Sequence, residues 1–288
     1  MYKNYVENIK LKSFTKLIFI PLMVAILTYL LPQLLLVIIG GLMGDISIGS
    51  IGSIMGMITT LFIMPLLMVK ISKLKIENLG IRKEKLLKSI SLGSISGFLL
   101  LSLVALTILI LGGITIEKNS FSLTTALVGG LVFFILQGTW EELIYRSYLM
   151  PLFSKKYGDI LSIILTSIVF TLGHALNPNI QLLPIVNLFI ASIVFSLIYY
   201  RSGNLFFVGL AHGIWNFSQG YIWGSEVSGN IISASLFKSL PVYGKDIISG
   251  GNFGFEGGII TTIVGIVLIA ILILTLKNTV ETRFNYEK

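Results

Sequence analysis

The sequence predicts an all-α, polytopic membrane protein: a bundle of about eight transmembrane helices with both termini on the cytoplasmic side. Three observations predict this class: the mean hydropathy is +0.92, only 12% of residues are charged, and 55% are hydrophobic. A soluble domain usually carries about 25% charged residues. Regular backbone in lipid must be helical or form a closed barrel, and such long, uniformly apolar runs indicate helices.

A membrane-crossing helix needs about 20 mostly apolar residues. The chain divides into eight apolar segments separated by charged or glycine-rich loops. These segments are about Leu17–Ile39, Ile51–Val69, Ser89–Leu111, Phe121–Phe153, Ile160–His174, Pro184–Tyr200, Asn204–Phe217 and Gly257–Leu276. We expect one integral membrane domain over residues 1–288, with a short loop carrying Glu117 and Lys118 and a long Gly/Ser-rich loop over residues 218–256.

The formal net charge is +8, and the lysines concentrate in loops, above all in Lys70–Lys88. When the loops are assigned alternately to the two sides of the membrane, most basic residues lie on the same side as the two termini. This distribution predicts that both termini are cytoplasmic. We therefore interpret the positive charge as a topology signal and expect the lipid bilayer, with no nucleic acid, as partner. The chain has no cysteine, which excludes disulfides, thiolate metal ligands and a cysteine nucleophile.

The first polar motif is Glu141-Glu142-xxx-Arg146, at the end of an uncharged stretch, Leu123–Gln137. Residues four apart on a helix are neighbours, so Glu142 and Arg146 can pair, while Glu141 points about 100° away. A carboxylate at membrane depth is costly and is a functional-site hypothesis by default. Taken alone, the motif would also fit a surface salt bridge at a helix end.

Two further motifs contain both histidines of the chain: Phe170-xxx-His174 and His212-xxx-Asn216. A lone histidine near a helix end is often only structural. However, Glu141, His174 and His212 lie ~21, ~22 and ~16 Å along their helices from the predicted cytoplasmic ends, at ~1.5 Å per residue. These similar depths predict one shared polar site.

The residue types allow two kinds of chemistry. A glutamate in apolar surroundings can act as a general base, a neutral histidine can help it to deprotonate water, and a histidine and an asparagine can donate to an oxyanion. Alternatively, Glu141, His174 and His212 form a zinc-type ligand set with an open position for water. The residue list leaves both open.

The three motifs resemble the membrane-embedded CAAX-protease and bacteriocin-processing (CPBP, or Abi) family, whose pattern is E-E-x-x-x-R, F-x-x-x-H and H-x-x-x-N/D on successive helices. The run Tyr199–Leu205, followed by Ala211-His212, resembles the same family. The resemblance covers a core at about 123–217; the first three segments, the 218–256 loop and the last segment lie outside it.

This resemblance implies an intramembrane glutamate endopeptidase that hydrolyses a membrane-embedded or lipid-linked peptide or protein. Glu141 would activate water together with His174. His212 and Asn216 would form the oxyanion site, and Glu142 and Arg146 would support these four residues. No cofactor is expected, although zinc would fit a metal-dependent variant with the same residues. Abundant Lys, Ile and Asn suit an AT-rich bacterium, so we expect a bacterial cell membrane. Whether prenylated substrates are relevant is open.

Two other classes of function compete with the peptidase. In a proton-coupled transporter, Glu141, His174 and His212 would form a relay, although we see none of the repeated halves common in transporters. In a non-catalytic immunity or scaffold protein, the motif residues would be purely structural. The uncharged loop 175–183 suggests lateral substrate access from the bilayer.

Overall fold

The computed structural model describes residues 2–82, 85–119, 124–232 and 234–286. Two predicted features lie outside these ranges: Lys83 of the basic loop, and residues 121–123, where the fourth apolar segment begins. Helices dominate the described chain. They are α1 (Tyr2–Asn8), α2 (Thr15–Met43), α3 (Ile51–Ser72), α4 (Leu86–Ile110), α5 (Thr125–Tyr157), α6 (Asp159–Gly173), α7 (Leu182–Ser202), α8 (Leu205–Phe217), α9 (Asp246–Ser249) and α10 (Ile259–Tyr286).

Over its described residues, each of the eight predicted apolar segments corresponds to a helix. Within the described ranges, five helices are long and apolar enough to cross a membrane: α2, α3, α4, α5 and α7. The apolar helix α6 has 15 residues. At ~1.5 Å per residue, this helix is shorter than the ~30 Å thickness of the hydrocarbon core. The prediction of an all-α membrane bundle is confirmed, and the chain is an integral membrane protein.

Two segments that we expected to be plain loops contain regular structure. Strand β1 (Ile114–Lys118) occupies the predicted short loop after α4 and pairs antiparallel with β2 (Phe237–Pro241), with Ile116 opposite Ser239. The rest of the 218–256 loop contains a π-helical turn, α9 and two 3₁₀ turns. The strands are far apart in sequence and short, so no local hairpin signal could reveal their pairing.

The turn between α7 and α8 sets the direction of the helix that carries His212. Gly203 ends α7 in the left-handed region, with φ of 57°, where glycine has no steric penalty. Asn204 then caps α8, because its side-chain oxygen accepts from the backbone N–H groups of Phe206 and Phe207 at 2.9 and 3.3 Å. Local turn chemistry therefore fixes where α8 begins.

Glycines allow α5 and α8 to approach closely. A Cβ atom on Gly138 would lie 2.4 Å from the backbone nitrogen of Gly213, and one on Gly213 would lie 2.4 Å from the carbonyl oxygen of Phe134. Small residues at helix interfaces permit this approach in membrane proteins. The contact brings the glutamates of α5 next to His212 of α8.

We expect Gly213→Ala to destabilise the fold by about 1–3 kcal/mol, because the new methyl group meets backbone atoms that cannot move without shifting a helix. The measurement is the free energy of unfolding in an SDS titration from mixed micelles. Gly41→Ala is the matched control, since a Cβ there meets nothing within 4 Å and its φ of −63° is helical. Equal stability of Gly213→Ala and the parent would contradict the close packing.

Candidate active site

Glu141 lies at the centre of the site. Its side chain is buried, with 4% of the residue exposed, and the Nε2 atom of Gln137 donates to its Oε1 at 2.6 Å. Its Oε2 has no hydrogen-bond partner among the described residues. A buried carboxylate oxygen without a donor is costly, so this atom is the one expected to receive a ligand, a water molecule or a proton.

Both histidines point Nε2 at Glu141. The distances are 3.8 Å from His174 Nε2 to Oε1 and 3.7 Å from His212 Nε2 to Oε2. Their other ring nitrogens are fixed: Nδ1 of His174 lies 2.9 Å from the carbonyl oxygen of Phe170, and Nδ1 of His212 lies 2.8 Å from Oε1 of Glu142. Both acceptors require Nδ1 to carry a proton, so in each neutral ring Nε2 holds the lone pair.

Glu142 and Arg146 form a fully buried ion pair. Nη1 of Arg146 donates to Oε1 of Glu142 at 3.1 Å, and its Nη2 donates to the carbonyl and hydroxyl oxygens of Ser192 at 3.1 and 2.8 Å. The guanidinium carbon lies 4.7 Å from the centroid of the Phe170 ring. The pair ties α5 to α7 and holds the carboxylate that orients His212.

Asn216 joins the cluster indirectly. Its Nδ2 donates to Oε1 of Gln137 at 3.0 Å, and Gln137 in turn donates to Glu141. The structure thus brings Glu141, His174 and His212 together and links Asn216 to them through a glutamine. Sequence reasoning missed Gln137, yet a signal existed, since it lies four residues before Glu141 and therefore on the same helix face.

Ser192 was also missed, and no comparable signal marked it. It is one of several buried serines on the apolar helices. Its role depends on the packing of α7 against α5, which composition and spacing do not reveal.

The cluster opens into a cavity of about 360 Å³. Gln137, Glu141, His174, His212 and Asn216 all line it, together with apolar side chains of α7 and α10 such as Val194 and Leu268. Its size falls in the usual range for ligand pockets, which are mostly apolar with a few convergent polar groups. A ligand in this cavity would therefore meet Glu141.

Glu141, His174 and His212 also have the side-chain types that bind zinc. Histidine Nδ1 atoms held by a carbonyl and a carboxylate are the outer contacts that zinc-bound histidines make. However, no group of three or more His, Asp or Glu side chains in the described ranges has an arrangement that could hold a metal ion. The expectation that no cofactor is needed stays a prediction, and the mechanism proposed below uses only side chains of the chain itself.

This arrangement of motifs agrees with the comparison with known families. Residues 122–218 match the family model described as type II CAAX prenyl endopeptidase Rce1-like. Residues 122–218 are similar to this family and are called the Rce1-like segment below. The family resemblance predicted from the three motifs is thereby confirmed, and none of the curated proteins matches the chain.

The Rce1-like segment contains all seven motif residues as well as Gln137 and Ser192. The match supports a CAAX-type intramembrane protease, whose substrates would be membrane-associated. The described parts of α1 to α4, β2 and α10 lie outside the Rce1-like segment.

Proposed function

We propose that this protein is an intramembrane endopeptidase that hydrolyses a peptide bond with a water molecule activated by Glu141. One observation carries the proposal: a buried carboxylate faces the Nε2 atoms of two histidines at 3.7 and 3.8 Å inside a cavity. These distances exceed a direct hydrogen bond. A separation beyond about 3.5 Å between polar groups is suited to a bridging water.

Glu141 acts as the general base. A water held between Glu141 and His174 gives its proton to the carboxylate while its oxygen bonds to the carbonyl carbon of the substrate. Nε2 of neutral His174 accepts the second hydrogen of that water and orients its lone pair. A general base positioned in this way typically contributes about 10²–10⁴ in rate.

Asn216 and His212 stabilise the oxyanion that forms on the carbonyl oxygen. One N–H of the Asn216 amide is used by Gln137, and the second remains for the oxyanion. His212 donates through Nε2 only when both ring nitrogens are protonated, since Nδ1–H is held by Glu142.

Collapse of the tetrahedral intermediate breaks the carbon–nitrogen bond. Glu141 then returns the proton to the leaving amine, so that the products are a carboxylic acid and an amine and the enzyme is restored. Fixed donors aimed at a developing oxyanion are typically worth about 10²–10³ in rate each. The residues thus supply a base, an orienting group and an oxyanion site.

The substrate class follows from where the site lies. The cluster is buried among apolar helices, and its cavity is walled largely by apolar side chains. We propose a peptide or protein that is embedded in the membrane or carries a lipid, in a bacterial cell membrane. Both prenylated and unmodified peptides satisfy this description.

The test is cleavage of a quenched-fluorescence peptide library, with and without lipid attachment, by purified protein in nanodiscs, with products identified by mass spectrometry. We expect the parent to cleave and His174→Ala to lose about 10²-fold or more in kcat/KM. Full proteolysis by both Glu141→Gln and His174→Ala would refute the proposal. Proton-driven flux that is lost in Glu141→Gln would favour a transporter instead.

Gln137 offers a further prediction. Gln137→Ala removes the donor that fixes Glu141 and the acceptor that fixes Asn216, so we expect kcat to fall by about 10- to 100-fold, with a smaller change in KM. Gln33→Ala is the matched control, because Gln33 lines the same cavity from α2. An equal effect of the two substitutions would contradict the positioning role.

A further inference from the structure

Glu256 is a second carboxylate in the cavity of Glu141, and no motif includes it. It lies just before α10, outside the Rce1-like segment, and is only partly exposed. The mechanism above does not use it. Burying part of a carboxylate costs solvation free energy, so the contacts of Glu256 bear on what it could bind.

Three neutral donors hold the Glu256 side chain in place. Nε1 of Trp215 donates to Oε1 at 3.1 Å, while the backbone N–H and the hydroxyl of Ser228 donate to Oε2 at 2.9 and 2.8 Å. The backbone is held too, since Nδ2 of Asn187 donates to the carbonyl oxygen of Glu256 at 2.7 Å. The carboxylate is thus fixed against α7, α8 and the 218–256 loop.

The charge of Glu256 is not balanced within the part of the chain that the structure describes. None of the ion pairs found there includes Glu256, and the described lining of the cavity contains Glu141 and Glu256 but no lysine or arginine. A carboxylate can accept about four hydrogen bonds. With one donor on Oε1 and two on Oε2, it can still accept from a cation.

Glu256 shares one cavity with the catalytic cluster. Trp215, its donor, directly precedes Asn216, which bonds to Gln137 and through it to Glu141. Both carboxylates line one cavity of about 360 Å³. A single peptide segment can therefore contact Glu141 with its scissile bond and Glu256 with a neighbouring group.

We propose that Glu256 binds a positively charged group of the peptide substrate, an alkylammonium or guanidinium, and so selects basic residues near the scissile bond. This inference rests on the proposed peptidase function. It assigns a specificity role to the part of the chain outside the Rce1-like segment. A charge-assisted hydrogen bond to a fixed carboxylate is among the stronger polar contacts.

The experiment measures binding, so that it does not depend on turnover. Fluorescent peptides that differ only in carrying lysine or Nε-acetyl-lysine at one position are titrated against Glu141→Gln in nanodiscs. We expect the lysine peptide to bind about tenfold more tightly, with the preference shrinking as salt rises. A second pair, with free or acetylated amino terminus, shows whether a side chain or the terminal amine is recognised.

Adding Glu256→Gln to this background should remove the preference, and Glu256→Asp should keep part of it. Glu117→Gln is the matched control, because it removes an exposed carboxylate from β1 and should leave the preference intact. Melting temperatures establish that each variant is folded. A preference for the charged peptide that survives in folded Glu256→Gln overturns the inference. If Glu256→Gln does not fold, the Glu141→Gln protein alone tests the inference, because equal binding of both peptides in each pair overturns it.

Failure of this inference can be told apart from failure of the proposed function. Cleavage by the parent without any charge preference refutes the role of Glu256 alone. Charge-dependent binding with no cleavage of any bound peptide refutes the peptidase and leaves a cation-selective peptide site.

Discussion

Glu141→Gln is expected to lower kcat/KM for peptide cleavage by about 10²–10⁴-fold, the usual contribution of a general base. Glutamine keeps the shape of the side chain and can still contact Gln137, but it cannot take a proton from water. The measurement is initial rates on a cleaved library peptide, with parent and variant in the same nanodiscs.

The control for this prediction is Glu77→Gln, because Glu77 is an exposed glutamate in the turn after α3. The Glu77→Gln protein should cleave the peptide like the parent. Unfolding midpoints should also match, so that the loss of rate cannot come from loss of fold. A folded Glu141→Gln protein with at least a tenth of the parental kcat/KM would contradict the assigned base.

Arg146→Met is expected to have the largest effect on stability, about 3–5 kcal/mol, because it leaves the Glu142 carboxylate buried without its cation. Both side chains of the pair are fully buried, at 0% exposure. The loss includes the contacts to Ser192 that tie α7 to α5. The measurement is the free energy of unfolding in an SDS titration.

Arg201→Met serves as the matched substitution, since Arg201 is an exposed arginine whose Nη1 donates to Thr275 at 2.7 Å. Exposed changes of this kind usually alter stability by no more than about 0.5 kcal/mol. If Arg146→Met were no more destabilising than Arg201→Met, the buried pair would not hold the two helices together.

The sequence predicted the helices and the meeting of the motifs because both depend on regular geometry. Long apolar runs dictate helices in lipid, and a constant rise per residue makes the depth of Glu141, His174 and His212 calculable. The pairing of Glu142 with Arg146 followed in the same way from helical spacing. These properties are local, so one sequence suffices to infer them.

Contacts between segments distant in the chain were not predictable in this way. Ser192 on α7 reaches Arg146, and Glu256 reaches Trp215 and Ser228, only because of tertiary packing. The pairing of β1 with β2 joins residues more than a hundred positions apart. Hydrophobic patterns do not encode which partner such polar groups choose.

The most direct test of the central claim is to measure zinc per protein molecule and the cleavage rate across purified fractions of the parent, before and after a chelator. The account predicts cleavage that is independent of bound metal and is lost in Glu141→Gln. Cleavage that rises and falls with stoichiometric zinc would contradict it, and would place Glu141, His174 and His212 around a metal-bound water.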